Sequence, residues 1–148
     1  MAASGIGALL AALIVATAGH TFPSRALALG GVWIFSTALA LFAFNRNLYA
    51  ALALLAISGF GIVLYFSTSN TVLQTIVPDE MRGRVMGIWT LVFGGMMPLG
   101  SLQAGLMADF LGTPGTIAIG ALICALAAAV TLEVVRKREA KMLSNRAA

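Results

Sequence analysis

The sequence predicts an all-α membrane protein with five transmembrane helices, and three observations carry that expectation. Sixty per cent of the 148 residues are hydrophobic and only 9% are charged, against the roughly 25% charged residues that a soluble domain uses for its wetted surface. The apolar residues fall into five long runs with no charge in their interiors, each near the roughly 20 residues that carry a helix across a ~30 Å hydrocarbon layer. The lysines and arginines collect at alternate ends of those runs. Strand-like alternation is absent, so helices are the only spanning structure available.

The first run, 2–19, directly follows Met1. It has no basic residue ahead of it, and Thr17-Ala18-Gly19-His20 is a poor cleavage site, so it is read as a span and not as a signal peptide. The segment from His20 through Pro23 to Arg25 separates it from the second run, 26–44. Asn45-Arg46-Asn47 then breaks the chain before the third run, 48–76, which turns polar in its last third. The fourth run, 85–108, follows a charged connection that starts at Pro78. Gly112-Thr113-Pro114-Gly115 precedes the fifth, 115–133; there Thr113 can cap and Pro114 can occupy the first turn of the final helix. Residues 1–135 are thus expected to form a transmembrane bundle, and 136–148 a basic cytoplasmic tail on anionic lipid. The lone Cys124 lies within an apolar run and excludes an internal disulfide.

Orientation follows from the cations, because cytoplasmic flanks accumulate lysine and arginine. With the C-terminus inside, Arg25, Arg82, Arg84, Arg136, Lys137, Arg138, Lys141 and Arg146 are cytoplasmic and only Arg46 is outside. The net charge of +4 therefore points to the phospholipid surface and not to nucleic acid. Five spans with an inside C-terminus put the N-terminus outside. Met1 is accordingly expected to be an internal methionine, and the chain to be the C-terminal part of a longer polytopic protein of the plasma (inner) membrane.

The charged connection is the most informative stretch. Pro78 suits a first helical turn, and Asp79 and Glu80 then sit at the positive end of the helix dipole. Asp79 and Arg82 are three apart, and Glu80 and Arg84 four apart in the acid-first order that favours pairing. Gly83 and Gly87 form a small-xxx-small pair that admits a neighbouring helix. These residues describe either a capped helix entrance with two interfacial arginines or a conformational latch; the physics of the segment alone does not choose.

The run from Leu73 through Val77-Pro78-Asp79-Glu80-Met81-Arg82-Gly83-Arg84-Val85-Met86 to Gly87 resembles the cytoplasmic loop before the penultimate helix of major facilitator superfamily transporters. The nearest branch holds macrolide-type drug exporters and the enterobactin exporter, whose members read Q-x-x-V-P-D-E-x-R-G-R-V-x-G there. The likeness continues through Phe93-Gly94-Gly95-Met96-Met97-Pro98-Leu99-Gly100 and Ala104-Gly105-Leu106-Met107-Ala108-Asp109. It implies that the five spans are the eighth to twelfth helices of a twelve-helix protein, part of its C-terminal six-helix bundle. It also implies efflux of amphipathic small molecules by alternating access, with the missing N-terminal transporter half, the substrate and the lipid bilayer as partners. Residues Pro78, Asp79, Glu80, Arg82, Gly83 and Arg84 would be its cytoplasmic gating motif. The loop Gly19 to Arg25 keeps only Gly19 and Arg25 of the family's Gly, Asp and Arg signature, so no gating role is assigned to it.

Polar side chains at membrane depth mark functional positions. Ser67, Asn70 and Gln74 are spaced three and four apart on one face of the third span. In the family the corresponding helix lines the central pathway, so these three are its candidate lining, with helix–helix hydrogen bonding as the competing reading. Gln103 in the fourth span is a further candidate. Gly94, Gly95, Pro98 and Gly100 should break or kink that span. Asp109 and Glu133 lie near span ends, and no acid occupies the bilayer centre. His20 reads as a loop residue, Tyr49 as an interfacial anchor, and Trp33 and Trp89 as packing residues.

An integral membrane enzyme would need convergent nucleophiles, acids or metal ligands. One histidine, one cysteine and five acids scattered over three surfaces do not supply them, and no residue constellation calls for a metal or a cofactor. The alternative to a transporter is a complete small scaffold or assembly subunit that packs through its Gly- and Ala-rich faces.

Overall fold

The computed structural model describes residues 2–18 and 22–147, with side chains described as far as Lys137. Gly19, His20 and Thr21, the centre of the first connection, lie outside the described residues, as do the side chains of Arg138, Lys141 and Arg146. The chain forms helices α1 (Ala2–Ala18), α2 (Ser24–Phe44), α3 (Leu48–Ile76) and α4 (Asp79–Ala147). Among the described residues there is no strand. The helices α2 and α3, and α4 as far as Lys137, are long and apolar enough to cross a membrane; the apolar helix over Ala2–Thr17 falls just short. The protein is an all-α membrane protein.

Local chemistry explains the breaks. Pro23 stands in extended conformation ahead of α2 and its carbonyl accepts from Ala26 N at 2.9 Å. Between α2 and α3, Asn47 Oδ1 accepts from Tyr49 N at 2.9 Å and Ala50 N at 3.4 Å. Asn45 braces the same turn: its Nδ2 donates to Asn47 O at 2.8 Å, and its Oδ1 accepts from Asn47 N at 3.1 Å. Three residues leave the chain no path but to fold back, so α2 and α3 form an antiparallel hairpin. Asn47→Ala removes the cap, and we expect it to lower stability by about 1 kcal/mol, read as a lower thermal midpoint of the detergent-solubilised protein.

Small residues then let the hairpin close. A Cβ on Gly31 would lie 2.7 Å from Tyr65 N and 2.8 Å from Gly61 O, and one on Gly61 would lie 2.7 Å from Gly31 O and from Phe35 N. The two backbones therefore meet directly, the packing that membrane helices use in place of a hydrophobic driving force. Helix α1 joins α3 in the same manner, with Gly7 against the Ala56 carbonyl and Gly59 against Ser4. Ala11, Ala38 and Leu64 are buried within these three helices. The buried hydroxyls of Ser36 and Ser58 donate within their own helices, to Trp33 O at 3.2 Å and Leu55 O at 2.9 Å. Thr68 Oγ1 is buried without a hydrogen-bond partner.

The sequence reading and the structure part company over α4. The turn expected across Gly112-Thr113-Pro114-Gly115 is a single residue: Gly112, at φ 71° and ψ 164°, is the only non-helical position inside α4. That region of backbone space is open to glycine because it carries no Cβ. Thr113 does not stand in a loop; Thr116 Oγ1 bonds back to Gly112 O at 3.0 Å instead. α4 is thus two helices that meet at a kink at Gly112, with no separate loop between them. The chain on either side of Gly112, 79–111 and 113–147, makes two arms of about 50 Å each at 1.5 Å per residue. Helical dihedrals persist through Gly94, Gly95, Pro98 and Gly100, so the first arm is a continuous helix across Pro98. The second arm packs on α2 and buries Ala121 and Ala128. The first arm touches α3 through Phe66 and Phe93, whose ring centroids are 4.3 Å apart, and Trp89 lies 5.2 Å from Phe93.

Candidate functional site

The polar residues expected on one face of α3 make two separate local hydrogen bonds. Ser67 and Asn70 are half-buried, Gln74 is exposed, and Gln74 Nε2 donates to Asn70 Oδ1 at 2.6 Å. Ser67 contributes its carbonyl, which accepts from Thr71 Oγ1 at 2.9 Å. Gln103 is not brought to them. It sits on the first arm of α4, where its Nε2 lies 3.8 Å from Met107 Sδ, beside a shallow groove formed by Leu99, Phe110 and other residues of the same arm.

At the start of α4, Met81 N donates to Pro78 O at 3.0 Å, which makes Pro78 the residue that caps the helix. Arg82 Nη2 meets Asp79 Oδ1 at 2.6 Å. Both side chains are open to solvent, and such a pair contributes about 0–1 kcal/mol. Among the described residues no ion pair joins Glu80 to Arg84. The four-residue spacing permits the contact, but exposed flexible side chains gain little by holding it. Gly83 and Gly87 have no atom of the chain within 4 Å of a would-be Cβ. The close helix approach of this structure runs through Gly31 and Gly61 instead.

The sequence did not disclose a cavity between three of the helices. A space of about 970 Å³ lies between α2, α3 and the second arm of α4, walled by Arg25, Val32, Tyr65, Ser69, Cys124 and Thr131 among others. Its α3 wall is Ile62, Tyr65 and Ser69, which at about 3.6 residues per turn lie nearly opposite Ser67, Asn70 and Gln74. The expected pathway residues and the cavity thus occupy different faces of one helix. No single-helix pattern announces the cavity, because half of its walls are Ala, Val and Leu positions whose meeting depends on the register of three helices.

The first arm of α4 carries a second feature. Gly83, Gly87, Thr90, Gly94, Pro98, Ser101 and Gly105 recur at intervals of three and four, so they form one narrow stripe along the helix. The glycines of that stripe have no neighbour within 4 Å. Large apolar side chains beside it, Leu91 and Met97, are each 76% exposed. Spaced small residues are the signature of close helix–helix contact in membranes, and this arm holds such a face open.

A family model described as transmembrane secretion effector matches residues 1–147. The chain is similar to the multidrug efflux pump Tap of Mycolicibacterium fortuitum, with 34% identity over 143 residues. That match covers 97% of this chain and 35% of the relative, so the chain spans about a third of the length of the curated protein it matches. No solved structure matches.

Proposed function

The chain belongs to the transmembrane secretion effector family of the major facilitator superfamily, and from that premise we propose that it is the C-terminal part of a secondary exporter of amphipathic small molecules working by alternating access. The observation that carries this reading is the open small-residue stripe of α4. A membrane helix with one face prepared for close packing and nothing against it requires a further helix, and the N-terminal transporter half is that partner.

In this reading the chain crosses the bilayer five times, with α1, α2, α3 and the two arms of α4 as the crossings and the C-terminus in the cytosol. Arg25 and the Thr131 to Val135 segment share one end of the cavity, which agrees with placing Arg25 and the basic tail on one side of the membrane. Ser67, Asn70, Gln74 and Gln103 line the substrate pathway. Gly94, Gly95, Pro98 and Gly100 supply the point at which the first arm bends, because Pro98 leaves a backbone carbonyl without its N–H partner.

Residues Pro78 to Arg84 form the gate. The Asp79–Arg82 pair is complete within the helix, whereas Arg84 has no ion-pair partner among the described residues. Its guanidinium is available to an acid of the opposite half in one conformation and released in the other. Arg84→Ala in the full-length exporter is expected to reduce dye efflux from cells several-fold while membrane abundance stays at the parental level. Efflux at the parental rate would reject the gate.

A further inference from the structure

The three rings that join α3 to the first arm of α4 have no part in the pathway described above, yet they stand at its middle. Phe66 lies ten residues before the end of α3 at Ile76, and Trp89 lies ten residues after the start of α4 at Asp79. Only Val77 and Pro78 separate those helix ends, so both rings are about 15 Å from the turn at 1.5 Å per residue. That depth is half of a ~30 Å hydrocarbon layer, the level at which transporters hold their substrates. Phe66 also precedes Asn70 by four residues and Gln74 by eight, which puts the ring and the two amides along one side of α3.

The cluster has open valences. Phe66 and Phe93 meet edge to face at 4.3 Å between centroids, and Trp89 tilts against Phe93 at 5.2 Å. Among the described residues Trp89 stacks on no other ring, and all three side chains are half-buried. The indole Nε1–H of Trp89 has no acceptor among the described residues, although an indole taken out of water normally finds one. Gln74 Nε2 and Asn70 Oδ1 bond to each other, which leaves Asn70 Nδ2 and Gln74 Oε1 for a further partner. Phenylalanine at position 89 would pack the arm without a donor left over.

We propose that Phe66, Phe93 and Trp89 form a mid-membrane subsite that selects substrates carrying a planar aromatic ring. The indole Nε1–H donates to an acceptor beside that ring, and Asn70 and Gln74 meet the polar end of the same molecule. The proposal deepens the exporter reading and rests on it. Offset and edge-on ring pairs contribute beyond the area they bury, whereas a saturated ring of similar size gains burial alone. The amides lie about 6 and 12 Å from Phe66 along α3, so the substrate presents its ring and its polar group at that separation.

The test uses the purified full-length exporter in detergent and two probes, the hydroxybutyl amides of naphthalene carboxylic acid and of its fully saturated decahydro form. Equilibrium dialysis gives the affinity for each. Detergent takes up each probe equally whichever variant is present, so the naphthalene-to-decahydro affinity ratio compares the variants directly. We expect Trp89→Leu to lower that ratio about fivefold, the factor that one aromatic pair supports, and Trp89→Phe to keep most of it. Phe66→Leu, with the same expectation, takes its place should Trp89→Leu fail to accumulate. An unchanged ratio, an equal loss of affinity for both probes (the rings serving only to pack the arm), or no binding of the naphthalene probe to the parental protein would each overturn the subsite. Dye export by cells carrying the parental exporter tests the exporter reading by itself, so the two can fail separately.

Discussion

Gly31→Leu is expected to separate α2 from α3 and to prevent accumulation of folded protein. The helices cross with the backbone of Tyr65 and Gly61 standing 2.7–2.8 Å from where the first side-chain carbon would go, and backbone atoms cannot swing aside as a flexible side chain can. Over-packing of this kind costs about 3 kcal/mol or more, a large part of the stability of a small bundle. The adjacent glycine supplies the control. Gly30 has nothing within 4 Å of a would-be Cβ, so Gly30→Ala should be neutral or stabilising by up to about 1 kcal/mol, because glycine is the poorer helix former. Gly31→Ala should destabilise. Thermal unfolding in detergent that ranks these two alanine variants equally would show that the crossing does not run through Gly31.

The second large effect concerns the open stripe. Gly94→Leu in the full-length exporter is expected to reduce efflux more than tenfold, because a branched side chain at the middle of the stripe holds the partner helix several ångströms away. Gly94 meets no atom of this chain, so the substitution should leave α1, α2, α3 and the second arm of α4 assembled and the protein present in the membrane. Val92→Leu, on the opposite side of the same arm, adds bulk to an exposed position and should export normally. Two residues of separation thus discriminate a packing face from a lipid face. Equal efflux by Gly94→Leu and Val92→Leu would refute the stripe as a docking face for the other half.

What could be read from the sequence divides along a physical line. Properties carried within one helix or one turn were legible. The apolar runs announce helices, Asn45 and Asn47 announce the α2–α3 turn, and the three-residue spacing of Asp79 and Arg82 announces their contact. Properties that need the register between helices were not. Gly83 and Gly87 have the spacing of a crossing point but stand open, whereas Gly31 and Gly61, 30 positions apart in the chain, form one. The cavity escaped for the same reason: Arg25, Tyr65 and Cys124 share a space only once three helices have been laid side by side. The candidate pathway residues named from sequence, Ser67, Asn70 and Gln74, were chosen by their polarity, and polarity is a local property. The break in α4 was placed within four residues but not to its single position, since the choice among Gly112, Thr113, Pro114 and Gly115 turns on one dihedral angle.

That dihedral has a consequence for how the molecule fits its solvent. Were residue 112 to take helical dihedrals instead, the 69 residues of α4 would straighten into a rod about 100 Å long. Such a rod is more than three times as thick as the oily layer it must inhabit, and most of its leucines would be driven into water. The bend at Gly112 keeps either arm to about 50 Å, and a glycine, with hydrogen where other residues carry carbon, adopts that bend without strain.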